Sequence, residues 1–375
     1  MIGLLSFHES SSYGAILQCF ALQSAVEDRG LDCEFIDYKR HAVSTSQLGG
    51  SWRYKIKRYA LNGVASVKKT VLKSEIKKKT AAFDAFKKQN LHVSAEAYNT
   101  FEDLQSAALP YDAVIVGSDQ VWNPATTGDN LKVYGLGFLP PQTRKIAYAA
   151  SIGLGTLNES QEKQIRDNLT GLDYYSCREY VGAELISGVL DREVEHVLDP
   201  TFLLNQTAWR RVEKDVKTPS KYVLAYLLGS MSYERELAKE VAKKLDAKLL
   251  IVKESPKDMF SVHGIGGLGP AEMLYLIDHA EYVVTDSFHG TALSINFRKN
   301  FLCCNRRGYE KATSYSSRLT NLLHTLNLES AQVNEANWRE KAGRFVDYSV
   351  AEQRIEEMLI KSNNYLDRAL QNREK

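Results

Sequence analysis

A histidine at the mouth of a helix, an arginine at a strand end and an aspartate in a polar turn are the residues best placed to do chemistry. The histidine is His289, within Thr285-Asp286-Ser287-Phe288-His289-Gly290-Thr291. The apolar run Tyr282-Val283-Val284 leads in, and a helical pattern beginning near Gly290 leads out. A helix N-terminus there offers backbone N–H groups to an anion. A histidine can also donate a hydrogen bond and carry a proton near neutral pH. The same position suits a histidine that only caps or fills a turn. Arg178 follows Tyr174-Tyr175-Ser176-Cys177. Its guanidinium fits bidentate contact with a carboxylate or phosphate, or an ion pair with the adjoining Glu179. Asp119 lies in Gly117-Ser118-Asp119-Gln120-Val121-Trp122-Asn123-Pro124. Beside Trp122 it could orient or deprotonate a sugar hydroxyl; the plainer reading is a capping aspartate next to a packing tryptophan.

These residues need elements that deliver them to one place. Ile2 to Ser6, then a helical pattern from Tyr13-Gly14 to Gly30, then Cys33 to Ile36 read as strand, helix and strand. That is a βαβ opening and predicts a parallel sheet. Further strands are predicted at 111–119, 145–151, 174–177 and 197–200. The second half repeats the rhythm, with strands at 222–228, 248–252, 282–285 and 301–304. Helices are predicted near 231–245, 270–279, 290–298, 317–326 and 349–370. The fold class is therefore α/β, with two doubly wound, Rossmann-like domains facing across a cleft. The division is 1–205, 206–345 carrying His289, and a C-terminal helix in 346–375. Such sheets bind ligands beyond the carboxyl ends of their strands, where all three candidates fall.

Composition narrows the function. The 375 residues are 44% hydrophobic and 25% charged, with a net charge of only +2. No global field marks a nucleic-acid binder, so anions must be met by a few placed cations. Five cysteines without a C-x-x-C pair fit neither a disulfide scaffold nor a zinc site. The histidines form no metal-spaced pair. No apolar run reaches the length of a membrane span, and the first residues are too short a run for a signal peptide. The expected location is the cytoplasm, with peripheral contact at the inner face of the membrane left open.

Residues 53–90 break the α/β rhythm. Twelve lysines and arginines lie between Arg53 and Lys88, against Glu75 and Asp84. Leu72, Ile76, Phe83 and Phe86 fall near one helical face. A long surface helix with a solvated basic side is the plain reading; a docking face for anionic lipid or a lipid diphosphate is the sharper one. Gly264-Ile265-Gly266-Gly267-Leu268-Gly269 superficially resembles a dinucleotide loop, but Pro270 follows and it reads as a loop.

Taken in order, six segments resemble the polysaccharide pyruvyltransferase family. They are Tyr13-Gly14-Ala15-Ile16-Leu17-Gln18 with Ala21-Leu22, Val116 to Pro124, Tyr148-Ala149-Ala150-Ser151 with Gly153, and Ser176-Cys177-Arg178-Glu179. Leu198-Asp199-Pro200-Thr201 and Asp286 to Thr291 complete the set. The resemblance implies a fold like the B-type glycosyltransferases, phosphoenolpyruvate as donor and co-substrate, and no cofactor or required metal. It implies a catalytic histidine at His289 and donor contacts at Arg178 and Arg318, with Arg307 or Lys311 as alternatives to Arg318; Ser287 and Gly290, at the helix start beside His289, are further donor-site candidates. Acceptor contacts fall to Tyr13, Gln18 and Trp122, with Asp119 as base. Two departures stand out: Ser12 where many members have Asn, and Ser287 where some have Arg. The implied reaction moves pyruvate onto a sugar of a polysaccharide or its precursor as a ketal, and the basic stretch from Arg53 to Lys88 suits an acceptor sugar carried on a lipid diphosphate. The competing classes are a nucleotide-sugar glycosyltransferase and a non-catalytic binding protein of the same fold.

Overall fold

The computed structural model describes residues 1–40, 66–229, 231–254, 257–305 and 318–371. Two parallel sheets form the framework. The first has five strands in the order β3-β2-β1-β4-β5: β1 (Ile2–Leu5), β2 (Cys33–Tyr38), β3 (Val93–Tyr98), β4 (Ala113–Val116) and β5 (Arg144–Ala147). Two short strands, β6 (Ser176–Cys177) and β7 (Glu195–His196), pair with each other, and bridges from Ile146 to Tyr174 and from Ala150 to Cys177 join them to the edge at β5. The second sheet has six strands in the order β10-β9-β8-β11-β12-β13. They are β8 (Tyr222–Tyr226), β9 (Lys248–Val252), β10 (Gly264–Ile265), β11 (Tyr282–Thr285), β12 (Phe301–Cys304) and β13 (Gln332–Val333).

The helices are α1 (Tyr13–Glu27), α2 (Ser66–Asn90), α3 (Tyr180–Leu190), α4 (Ser232–Lys244), α5 (Pro270–Asp278), α6 (Phe288–Asn296), α7 (Arg318–Thr325) and α8 (Ser349–Leu370), with shorter ones between. Strand side chains alternate between faces, and both faces of each sheet are covered. On β1, Leu4 enters the core between the sheets while Leu5 enters the outer core of the first sheet. On β8, Leu224 enters the shared core while Val223 and Ala225 enter the outer core of the second sheet. One apolar cluster thus runs from Ile16 and Leu17 of α1 to Val283 of β11 and Ala292 of α6.

Most central strands fall within two or three residues of their predicted places, but β5 ends at Ala147 rather than 151, and 197–200 is not strand, the short strand there being Glu195–His196. Periodicity missed β3, whose side chains are mostly exposed, as an edge strand allows. It also missed α3 and the two-residue strands β10 and β13, which are too short to carry a period.

The glycine-rich stretch 264–269 is short strand and turn, and its glycines let α2 approach. A Cβ at Gly266 would stand 2.5 Å from the Glu75 carboxylate, and one at Gly269 2.9 Å from Ala82. The uniformly solvated basic face expected for α2 is corrected in part. Lys73, Lys77 and Lys78 are exposed, but Lys79 is buried, lies over the Tyr13 ring and pairs with Glu254 at 2.5 Å. The cations of 53–65 fall outside the described residues.

The last helix, α8, packs against both halves. Arg298 meets Glu352 at 2.7 Å on the second half. Toward its far end Tyr365 donates to the Ala147 carbonyl at 2.7 Å and Asp367 meets Arg29 at 2.6 Å on the first half. Under its middle lies His196, whose imidazole is pushed down to about 4 by burial and by the charges of Lys361 and Arg354. An unfolded histidine titrates near ~6.5. Between those values the unfolded chain binds more protons, so this contribution is full above about 6.5 and is lost as pH falls toward about 4. His196→Asn should flatten that part of the stability profile. Urea unfolding at about pH 7 and about pH 5 measures it; an equal drop in both proteins would remove His196 as the cause.

Candidate active site at the meeting of the two sheets

The strand-end residues converge on a carboxylate that the sequence reading gave no role. Asp199 follows β7, is 1% exposed, and opens the tight turn at Pro200. Its Oδ1 accepts from the Thr201 amide at 3.0 Å and the Thr201 hydroxyl at 2.7 Å. Its Oδ2 accepts from Ser118 Oγ at 2.8 Å and Arg178 Nη1 at 2.9 Å, and lies 3.6 Å from His289 Nε2. That last distance is too long for a full hydrogen bond, so the imidazole lies beside the carboxylate without donating to it. Burial alone would raise the Asp199 carboxyl. His289 and then Arg178 outweigh that and hold it well below the usual carboxylate range.

Arg178 stands at the end of β6 with its side chain 1% exposed. Nε meets Glu179 at 3.1 Å, Nη1 serves Asp199 and Ser118, and the guanidinium lies 4.0 Å from the centre of the Phe288 ring. Glu179 is itself fixed by Ser151 Oγ at 2.7 Å. Burial disfavours the charged guanidinium, but Glu179, Asp199 and Asp119 together push its titration higher still, so it stays charged. The ion-pair reading of Arg178 is therefore realised. One nitrogen, Nη2, is buried without a hydrogen-bond partner among the described residues.

His289 is the second residue of α6 and is 8% exposed. Its ring packs on Gly14, the second residue of α1. A Cβ built there would fall 2.0 Å from Nδ1, so no side chain fits and glycine is required by close approach. Two helix N-termini, from α1 and α6, thereby meet at one imidazole. His289 Nε2 also has no hydrogen-bond partner among the described residues.

The remaining expectations divide. Asp119 sits past the end of β4 in a left-handed conformation with φ 72°, half-buried, its carboxylate accepting from the Gln120 amide at 2.9 Å. Non-glycine residues rarely adopt that conformation, and it keeps Asp119 among the acids around Arg178. Ser287 and Gly290 lie together at the start of α6. Ser287 Oγ accepts the Gly290 N–H at 3.3 Å as a helix cap, and Gly290 packs on Tyr226 and Thr285. Asp286 also works structurally, accepting the amides of Leu228 and Gly229.

Trp122 is corrected. It is fully buried in the outer core beside Tyr175, so it presents no ring face to a sugar. Gln18 is buried, with its Nε2 spent on Ser6 Oγ and the Ala15 carbonyl. Tyr13 is buried at the seam and donates to the Leu268 carbonyl of the second half at 3.2 Å. Arg318 opens α7; one turn on, Asn321 Oδ1 accepts the Tyr180 amide at 2.7 Å. That docks α7 two residues past Arg178. Arg307 and Lys311 lie outside the described residues.

Asp199 and Gly14 were in the sequence pattern but had no role in the site there, and Glu179 appeared only as an ion-pair partner for Arg178. The available signal for Asp199 was an Asp-Pro directly after an apolar run. What makes it central is a contact with a residue ninety positions later, which no local pattern carries.

This arrangement, two parallel sheets with a polar cluster between their carboxyl edges, defines the architecture of the B-type glycosyltransferases. A UDP-GlcNAc 2-epimerase from Methanocaldococcus jannaschii superposes with a TM-score of 0.53 at 14% identity, over 97% of this chain and 99% of that one. A protein of Anabaena solved with UDP and glucose covers 98% of both chains at 9% identity, with a TM-score of 0.47. The first of these likenesses shows the shared fold. No curated protein matches the chain in sequence. The polysaccharide pyruvyl transferase family profile matches residues 13–308, and the chain belongs to that family of transferases. Its acceptor class is accordingly a sugar of a polysaccharide. No helix among the described residues is long and apolar enough to cross a membrane.

Removing Asp199 would leave Arg178 as a buried charge with half its pairing gone. Breaking a buried pair in that way costs about 3–5 kcal/mol. Asp199→Ala should therefore lower unfolding stability by that amount, read by denaturant titration. A loss below about 1 kcal/mol would mean that Glu179 alone compensates Arg178.

Proposed function

We propose that the chain transfers pyruvate from phosphoenolpyruvate to a sugar, forming a pyruvyl ketal at the Asp199 cluster. The observation that carries this is Arg178 Nη2, buried without a hydrogen-bond partner among the described residues, in one cluster with His289 at the meeting of two helix N-termini. Phosphoenolpyruvate brings a carboxylate and a phosphate. Guanidinium nitrogen and helix N-termini are the groups that hold such anions. Arg318, on a helix docked beside Arg178, supplies a further cation from the second half.

In the proposed reaction His289 gives a proton to the methylene carbon of the enol, which becomes a methyl group. The developing positive charge sits on the adjacent carbon. One sugar hydroxyl adds there and loses its proton to Asp119. The carbon–oxygen bond to phosphate then breaks, and phosphate leaves with the bonding pair. A second hydroxyl adds to the same carbon, its proton passing to the departing phosphate, and closes the ketal. Asp199 keeps the imidazole oriented through this sequence without touching substrate. The exposed Lys73, Lys77 and Lys78 on α2 allow peripheral contact with anionic lipid.

A well-placed general acid contributes ~100- to 10,000-fold in rate. His289→Ala should fold normally and lose turnover by about that factor; near-normal turnover would remove His289 from the role. Phosphoenolpyruvate at 100 times its dissociation constant should add about 2.7 kcal/mol of stability. That shift should be absent with pyruvate plus phosphate and lost in Arg178→Ala. Stabilisation by a nucleotide sugar instead would make the chain a glycosyltransferase.

A further inference from the structure

A second concavity, of about 260 Å³, opens beyond the carboxyl ends of β1 and β2. Its walls include Ser6, Phe7, Tyr38, Lys39, Arg40 and Tyr134. The volume is below the ~300–1,000 Å³ of sites for drug-sized ligands, which suits one sugar ring rather than a nucleotide sugar. Phe7, Tyr38 and Tyr134 are buried and form its floor, while Glu9, Ser10, Lys39 and Arg40 reach its opening with the charged and hydroxyl groups that hydrogen-bond a sugar. Tyr38 is held by its hydroxyl on Asn130 Oδ1 at 2.6 Å, and Tyr134 meets Phe7 edge-on with ring centres 5.4 Å apart. These walls are fixed before any ligand arrives.

Its charges are unequal in their commitments. Lys39 bridges Glu9 at 2.9 Å and Asp37 at 2.7 Å, and His8 adds a contact to Asp37 at 3.1 Å. The Lys39 ammonium thus occupies the place between those carboxylates. Arg40 has no carboxylate partner among the described residues. Its guanidinium lies 4.2 Å from the centre of the Phe7 ring, exposed and oriented by that ring. A guanidinium fixed by stacking and without a carboxylate partner among the described residues fits a carboxylate or phosphate.

The pocket is tied to the reaction centre. Ser6 Oγ donates to the Ser118 carbonyl at 3.0 Å, and Ser118 Oγ donates to Asp199. We propose that this pocket is the acceptor subsite and that the acceptor sugar carries an anionic group, a phosphate or a carboxylate, which Arg40 binds. The inference rests on the pyruvyl-transfer reading and names the acceptor class for it.

Ligand-observed NMR titration of the intact protein with glucose 1-phosphate, glucuronate and glucose tests this. At least one charged sugar should bind roughly tenfold or more tightly than glucose, and Arg40→Gln should erase the difference. Preference for glucose 1-phosphate identifies a sugar phosphate; preference for glucuronate identifies an acidic sugar. Equal binding of glucose, no binding of any of the three, or a difference that survives in Arg40→Gln overturns the proposal. The phosphoenolpyruvate shift is measured on the same proteins and should persist in Arg40→Gln. Its absence, with the Arg40-dependent preference intact, would fail the donor reading and leave the anionic-sugar subsite standing.

Discussion

Asp199 is a carboxylate taken almost wholly out of water, and the structure depends on how that cost is met. An isolated buried carboxylate costs several kcal/mol even after relaxation. Here it is offset by five contacts: the Thr201 amide and hydroxyl, Ser118, Arg178 and His289. The first four come from the first half of the chain and the last from α6 in the second. The cluster is complete only when α6 is docked. A site built this way has its imidazole oriented and its guanidinium charged before a substrate enters, which is what electrostatic preorganisation requires.

Docking is secured along the same seam by contacts of other kinds. The shared apolar core passes from α1 to β11 and α6 without a break. At one rim, Tyr13 reaches the Leu268 carbonyl and Lys79 pairs with Glu254. At the other, α8 ties Arg298 of the second half to Ala147 of the first. Glycines at 14, 266 and 269 remove the side chains that would hold the halves apart. The buried Lys79–Glu254 pair adds direction to an otherwise apolar contact, because a shifted docking would leave either charge unpaired.

Much of this was legible from residues alone. Strands such as Tyr282–Thr285 and Phe301–Cys304 are continuous apolar runs because they are buried on both faces, and such runs announce themselves. His289, Arg178 and Asp119 were legible as strand-end polar residues. What stayed hidden was set by tertiary contact. Ser287 and Gly290 looked ligand-facing, yet the hydroxyl of one is committed to the amide of the other. Trp122 looked like a platform, yet its ring, like that of Trp209, is wholly buried. Lys79 looked like one more solvated lysine, yet its partner lies 175 residues away. In each case the local pattern gave the residue type and left its partner unspecified.

The departure at Ser287 gains a physical sense from the same geometry. With serine there, position 287 is a cap for α6 and brings no cation, while Arg178 is already balanced by Glu179 and Asp199. An anionic donor entering beside two carboxylates must be held by something besides net charge. The start of α1 is suited to that task. Its N-cap, Ser12, makes no side-chain capping bond, in contrast to Ser287 on α6. The first-turn amides of this fifteen-residue helix have no side-chain cap from Ser12 and, in the proposed reaction, would face the anion; Gly14 among them packs on His289. Helix amides hold an anion without adding a mobile charge, and in the proposed reaction Arg178 Nη2 would then fix its orientation.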